Sequence, residues 1–178
     1  MRWLVFSLAL VSSAAAAQTR QQELYIAQDE AGEQASDEQK LVLPAFPRDE
    51  NMVRIQVDGD VNFDFFVDLE SVSVGRDGIV RYTLLARSVG GATNISYEGI
   101  KCKGRERKFY AFGRKDRTWA IARDPQWTPI SIAPRDLAQA TLHDAYFCPD
   151  RTTVRDVAAA KRVLREGGNP RAGYSTDR

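Results

Sequence analysis

The chain has 178 residues, 43% of them hydrophobic and 28% charged, with a net charge of +1, two cysteines and one histidine. That is enough for one ordinary globular domain with flexible ends, and a core of that size does not depend on a metal or a dense disulfide set. A single histidine excludes a His-rich metal centre within one subunit and Cys2His2 zinc ligation, so no metal and no cofactor is expected.

Met1-Arg2 precedes an apolar run from Trp3 to Val11, and small residues then end at Ala15-Ala16-Ala17. A charged start, a short apolar stretch and a small-residue site predict a secretory signal peptide over residues 1–17, cleaved after Ala17. The run is too short to cross a bilayer, which takes about 20 residues, and no later apolar run is longer. The expected location is the periplasm, with no transmembrane segment in the mature chain. No cysteine stands at the cleavage site, so no lipid anchor is expected. Residues 18–45 carry two basic and six acidic groups, a net of −4, and read as a flexible acidic lead. Leu41-Val42-Leu43 before Pro44 marks the point where the chain joins its core. A single globular domain is expected over residues 46–166 and a flexible tail over residues 167–178.

From Met52 onward the apolar residues have a strand period. Met52 to Val57 is a first strand, and Phe63, Phe65, Val67 and Leu69 alternate in a second. Val72 and Val74 form a short separate piece before the turn Gly75-Arg76-Asp77-Gly78. Val80, Tyr82, Leu84 and Ala86 then share one strand face, with Arg81, Thr83 and Arg87 on the other. Gly90-Gly91 predicts a hairpin, returning through Ile95 and Tyr97. Gly99 is read as a bulge that shifts Ile100 and Cys102 onto the core face. Lys108 to Phe112 and Trp119 to Ala122 complete the strands. Pro134 opens a short helix through Leu137, Ala138 and Leu142. Thr153 to Asp156 resembles a capping box for a last helix, with Val154, Val157, Ala158, Lys161 and Leu164 on its inner face and Gly167-Gly168 at its end. The expected class is α+β: a mainly antiparallel sheet meander with one or two C-terminal helices. Cys102 and Cys148, an even pair in an exported chain, are expected to form one disulfide tying sheet to helices.

Chemistry is sparse. His143-Asp144 has no G-x-S-x-G serine to serve, and neighbours on a helix point apart, so a surface or helix-end histidine is expected. Asp58, Asp60, Asn62 and Asp64 alternate like the start of a calcium loop, but Phe63 and Leu69 stand where that loop needs Gly and Glu. Asp68, Glu70 and Glu98 are candidate paired carboxylates if the fold brings two together. No glycine loop for phosphate is present. Residues 101–125 carry nine basic and three acidic groups, a net of +6, interleaved with Phe109, Tyr110, Phe112 and Trp119. Behind a signal peptide that pattern points away from nucleic acid and toward an anionic envelope component or an envelope protein. Edge protection by Lys and Arg is the competing structural reading. The binding candidates are Arg105, Arg107, Lys108 and Tyr110 on this stretch, with Asn94 and Glu98 on the face opposite Ile95 and Tyr97. No catalytic residue is assigned.

Several segments resemble one family: Phe66-Val67-Asp68, the run from Ser73 to Thr83, Ser88, Gly91-Ala92, Asn94, and Tyr97 to Cys102. Tyr110 to Gly113, Trp119, Trp127 and Tyr146-Phe147-Cys148 complete the pattern. Over roughly residues 46–166 the chain is similar to the cryptic neisserial protein-like family of small exported proteobacterial proteins. The resemblance implies a Gram-negative envelope location and carries no assigned activity or catalytic residues. From the residues, three functions are expected in turn. The first is a non-enzymatic module binding an envelope partner through a basic sheet edge. The second is a small envelope hydrolase using carboxylates such as Glu98. The third is a structural domain that recruits a protein by strand addition.

Overall fold

The computed structural model describes residues 38–58 and 62–168. The expected signal peptide, most of the expected acidic lead, Asp60 and the tail from residue 169 lie outside the described residues. From Lys40 the described chain forms one compact unit. Its strands are β1 (Met52–Ile55), β2 (Phe63–Val74), β3 (Ile79–Ser88), β4 (Thr93–Lys101), β5 (Glu106–Gly113), β6 (Trp119–Ile121) and β7 (Thr128–Pro129). β1 to β6 lie side by side in chain order, β7 pairs with β5, and every pairing is antiparallel. Short polar turns leave an antiparallel neighbour as the nearest partner for each strand. The meander follows from the sequence, and the helices gather near its C-terminal end.

The strands depart from the simple alternation in three places, each for a local reason. Val72 and Val74 belong to β2 and are not a separate piece. The β2–β3 register breaks between Asp68 and Ser73, so odd residues (Phe65, Val67, Leu69) and then even ones (Val72, Val74) reach the same core. Ser71 mends the ladder there. Its hydroxyl accepts the Thr83 N–H at 2.7 Å and donates to the Asp68 carbonyl at 2.8 Å.

The second departure is in β3, which is buried on both faces. Arg81 and Thr83, read as the outer face, are 5% and 0% exposed. Arg81 is held by Asp77 across the turn at 2.7 Å, and Asp77 also accepts the Ile79 N–H at 3.1 Å. The same face is covered at β4 and β5, where Leu41, Leu43 and Trp119 pack on Tyr97, Tyr110 and Ala111. The Trp119 indole donates to the Pro44 carbonyl at 3.0 Å, which fixes the entry of the chain where Leu41 to Pro44 was expected to join the core.

The third departure moves the bulge. The β3–β4 register runs unbroken through Gly99, and the extra residue is Tyr110 on β5, between the pairs Glu98–Phe109 and Tyr97–Ala111. Gly99 serves it by having no side chain. A Cβ there would lie 2.7 Å from the Tyr110 hydroxyl and 3.1 Å from Ile79 Cγ2.

Helical turns cover the other face. A single 3-10 turn (Pro134–Asp136) leads into α1 (Leu137–Thr141), then a wide π turn (Leu142–Phe147), and later α2 (Val157–Arg165). Ala138, Leu142, Tyr146, Phe147, Ala160, Val163 and Leu164 pack on Val67, Val80, Tyr82, Leu84 and Ile100. The Phe147 ring lies 5.3 Å from that of Tyr82. Asp156 itself caps α2, accepting the Ala159 N–H at 2.8 Å, while Thr153 donates to the Gly78 carbonyl at 3.0 Å. The capping-box reading is corrected accordingly. The inner face of α2 is Ala159, Ala160, Val163 and Leu164, of which the expected stripe contained only Leu164. Gly167 at φ +80° and Gly168 at φ +132° end it, with the Gly168 N–H on the Val163 carbonyl.

Cys102 and Cys148 form the expected disulfide, with Cα atoms 5.2 Å apart, from the end of β4 to the end of the π turn. The mostly antiparallel sheet, its C-terminal helices and this crosslink make an α+β domain. Among the described residues no helix is long and apolar enough to cross a membrane.

Candidate functional site

The β3–β4 register pairs Tyr82 with Glu98, Leu84 with Ser96 and Ala86 with Asn94. Paired residues share a face, so Asn94, Ser96 and Glu98 lie on the helix-covered side. The pairs Glu98–Phe109 and Ser96–Phe112 bring two aromatic rings alongside. The bulge at Tyr110 is what keeps both rings on this face, because they stand an odd three positions apart on β5. α1 crosses above, with Ala138 and Gln139 pointing down at the sheet.

The result is a cleft of about 420 Å³ toward the β3–β4 turn end of the sheet. Phe65, Leu84, Phe109 and Phe112 supply apolar walls; Asn94, Ser96, Glu98, Gln139 and Arg135 supply its polar groups. Clefts of a few hundred Å³ with apolar walls and few polar groups suit small ligands. The Phe109 and Phe112 rings stand 5.6 Å apart and also border a second cleft of about 340 Å³ with Arg123 and Gln126.

Glu98 forms the floor and is 1% exposed. The Tyr82 hydroxyl donates to Oε2 at 3.0 Å and the Ser96 hydroxyl to Oε1 at 2.5 Å. The Gln139 amide donates to both oxygens, at 3.0 and 3.3 Å. Burial pushes the carboxyl above its ordinary pKa, against the opposite pull of Ser96, Gln139 and Tyr82. Burial, helped by the Glu98 charge, pushes the Tyr82 phenol well above its own. Among the described residues no Lys or Arg forms an ion pair with Glu98. Gln139 is 5% exposed, and its Oε1 has no hydrogen-bond partner among the described residues.

Arg105, Arg107 and Lys108 of the basic stretch are engaged within the fold, while Lys103, Arg114, Lys115 and Arg123 lie exposed. Arg107 grips Asp136 through Nε at 3.2 Å and Nη2 at 2.7 Å, and its guanidinium sits 4.6 Å from the Phe109 ring centre. Asp136 also receives the Ser131 hydroxyl at 2.5 Å. Burial opposes its ionisation, but the bonds from Ser131 and Arg107 prevail and hold its pKa below the ordinary aspartate value. Arg105 pairs with Asp144 and reaches His143 Nδ1 at 3.2 Å. Tyr110 is buried at 2% exposure, on the face opposite Glu98. Lys108 lies over the Tyr110 and Trp127 rings at 5.5 and 5.6 Å. β5 is not a free edge. β6 and β7 pair with its two ends, and the Tyr110 carbonyl between them accepts the Ala122 N–H at 2.9 Å. Of the six binding candidates, the structure joins Asn94 and Glu98 in one cleft and disperses the rest.

Other expectations are corrected. His143 is 2% exposed, not a surface residue, and donates from Nε2 to the Cys102 carbonyl at 3.0 Å. Its Nδ1 lies 2.6 Å from Asp144 Oδ1, a neighbour contact that the π turn permits. Asp68 pairs in register with Thr83, and so faces away from Glu98, while exposed Glu70 pairs with Lys161 at 2.9 Å. The three carboxylates do not converge. Asp64 is taken by Arg54 at 2.5 Å, and among the described residues no group of three metal-ligating side chains assembles. Sequence reasoning missed Gln139, Ser96 and Phe65 as site residues, and placed Phe109 and Phe112 with the basic stretch instead of with Glu98. The one available signal for Gln139 was an amide amid Leu137, Ala138, Ala140 and Leu142.

Sheet, covering helices and walled floor define a small disulfide-linked α+β domain with a ligand-sized cleft. The chain belongs to the CNP1-like family, which it matches over residues 31–165. It is similar to Cryptic neisserial protein 1 of Neisseria gonorrhoeae (strain ATCC 700825 / FA 1090), at 28% identity over 131 residues. That match takes in 60% of this chain and 64% of the relative, so the chain spans less than two thirds of the relative's length. No solved structure matches it.

Proposed function

We propose that the chain is exported to the periplasm and acts there as a non-enzymatic binding module, with the Glu98 cleft as its binding site. The observation that carries this reading is the buried Glu98 carboxylate on the floor of an open, phenylalanine-walled cleft. A fold gains nothing from such a group, because desolvation of a charge without a counter-ion is unfavourable. Its place in a cleft is what a recognition site requires. The signal-peptide pattern and the Cys102–Cys148 disulfide support export. A carboxylate-pair hydrolase lacks support, since Asp68 and Glu70 stand apart from Glu98. Strand addition at β5 lacks support too, because that edge is occupied.

The test is native mass spectrometry of protein released from the periplasm without denaturation. The reading expects a chain lacking residues 1–17 that carries a non-covalent small-molecule adduct, and an Asn94→Trp variant without the adduct. A full-length chain confined to the cytoplasm, or an adduct unaffected by closing the cleft mouth, contradicts it.

A further inference from the structure

Two things are missing from the cleft floor, and one kind of group supplies both. Glu98 has three hydrogen-bond donors around it, the Tyr82 and Ser96 hydroxyls and the Gln139 amide, but among the described residues no cation is bound to it, and the charge of Arg107 acts on it without an ion pair. The nearby guanidinium of Arg107 is bound by Asp136 at 2.7 Å. Every side-chain donor at the floor points at the carboxylate, whereas the one acceptor left over, Gln139 Oε1, is buried and unpartnered among the described residues. A buried acceptor without a donor is costly, and so is a buried carboxylate without a positive charge. Turning the Gln139 amide over sets its oxygen against the ionised carboxylate and leaves the amide N–H2 as the buried group without a partner instead. The walls above are the rings of Phe65, Phe109 and Phe112, the last 45% exposed at the mouth. Aromatic faces attract cations that have left water.

We infer that the cleft binds a small organic amine, its ammonium group drawn to the Glu98 carboxylate, its apolar body lying among Phe65, Phe109 and Phe112, and the Gln139 side chain turning to let the buried Oε1 accept from it. This rests on the proposed function and names the ligand class for that site. The ammonium contributes the missing charge and the missing donor together. A neutral alcohol contributes only the donor, and an anion brings a second negative charge to the floor. The cleft volume of about 420 Å³ suits a ligand of one ring or a short chain.

The probes are benzylamine, benzyl alcohol and benzoate, which share one apolar body and differ in the polar group. Each is titrated into the full, oxidised protein at neutral pH and followed by amide NMR. Benzylamine is expected to shift Ser96, Glu98 and Gln139 resonances and to bind at least ~10-fold more tightly than benzyl alcohol, a ratio worth about 1.4 kcal/mol. Benzoate is expected not to bind. Glu98→Gln should abolish the preference of amine over alcohol. Asn94→Trp, at the exposed rim and outside the core, should weaken both ligands and keeps the test open if Glu98→Gln does not fold. Equal binding of alcohol and amine, or an unchanged preference in Glu98→Gln, overturns the amine assignment while leaving a binding cleft intact. Shifts confined to residues outside the cleft overturn both the assignment and the proposed function.

Discussion

Replacing Glu98 by Gln removes the buried charge and keeps an atom opposite every donor. The Tyr82 and Ser96 hydroxyls rotate, so they adjust to an amide. Replacing it by Ala leaves those hydroxyls and the Gln139 amide facing a void. Denaturant melts are therefore expected to rank Glu98→Gln at or above the native protein at neutral pH, with Glu98→Ala about 1–3 kcal/mol below Glu98→Gln. The pH dependence carries a sign. The folded Glu98 holds its proton more tightly than the unfolded chain does, because burial raises its pKa. The folded state then loses relative stability as pH rises from the ordinary glutamate value through the raised one. The advantage of Glu98→Gln over the native protein should grow across that window and level off above it. Asp136 works in the opposite direction. Its lowered pKa gives stability that is present above the ordinary aspartate value and lost as pH falls through the folded one. An Asp136→Asn variant should remove that acid-side slope. None of this was visible at residue scale, because Glu98 and Gln139 are 41 positions apart and only the fold makes them neighbours.

Elements were legible wherever one face met solvent, and illegible where it did not. The run Val80-Tyr82-Leu84 gave β3 its inner face, but Arg81 and Thr83 looked like an outer face and are buried. An ion pair to Asp77 neutralises the first, and the meaning of that pair depends on a covered second face. Gly99 was read as the bulge itself, but its register with β3 is unbroken. The bulge it serves sits across the ladder at Tyr110, and register between two strands is not written in either alone. Gly99→Ala is expected to cost about 1–3 kcal/mol by forcing the buried Tyr110 ring aside. For α2, the cap was read three residues early because Thr153 and Asp156 both have capping chemistry. Asp156→Ala should lower stability by about 1 kcal/mol, and Thr153→Ala should leave the helix end intact, as amide exchange at Ala159 will show.

At the scale of the whole molecule, the disulfide joins the sheet to the helical layer that roofs the cleft. It closes a loop of 46 residues, for which the chain-entropy account gives about 4 kcal/mol. Reduction should lower the melting temperature and also weaken any ligand in the cleft, since α1 carries Gln139 and lies between the crosslink and β7 in the chain. The class of fold, the meander and the crosslink were readable because strand period, turn chemistry and cysteine parity are local signals. The cleft was half readable. Asn94 and Glu98 declared themselves as polar residues on one strand face, whereas the basic stretch drew more notice, and its Arg107, Arg105 and Lys108 turn to Asp136, Asp144 and ring faces. The central claim, that this cleft is where the protein meets its ligand, is tested most directly by photocrosslinking in living cells. A photoreactive residue is placed at Asn94 on the rim, and a control at exposed Arg76 in the turn at the other end of β3. The account predicts a discrete small-molecule adduct at Asn94 and none at Arg76. Adducts of equal yield at both positions, or none at Asn94 in folded and exported protein, would contradict it.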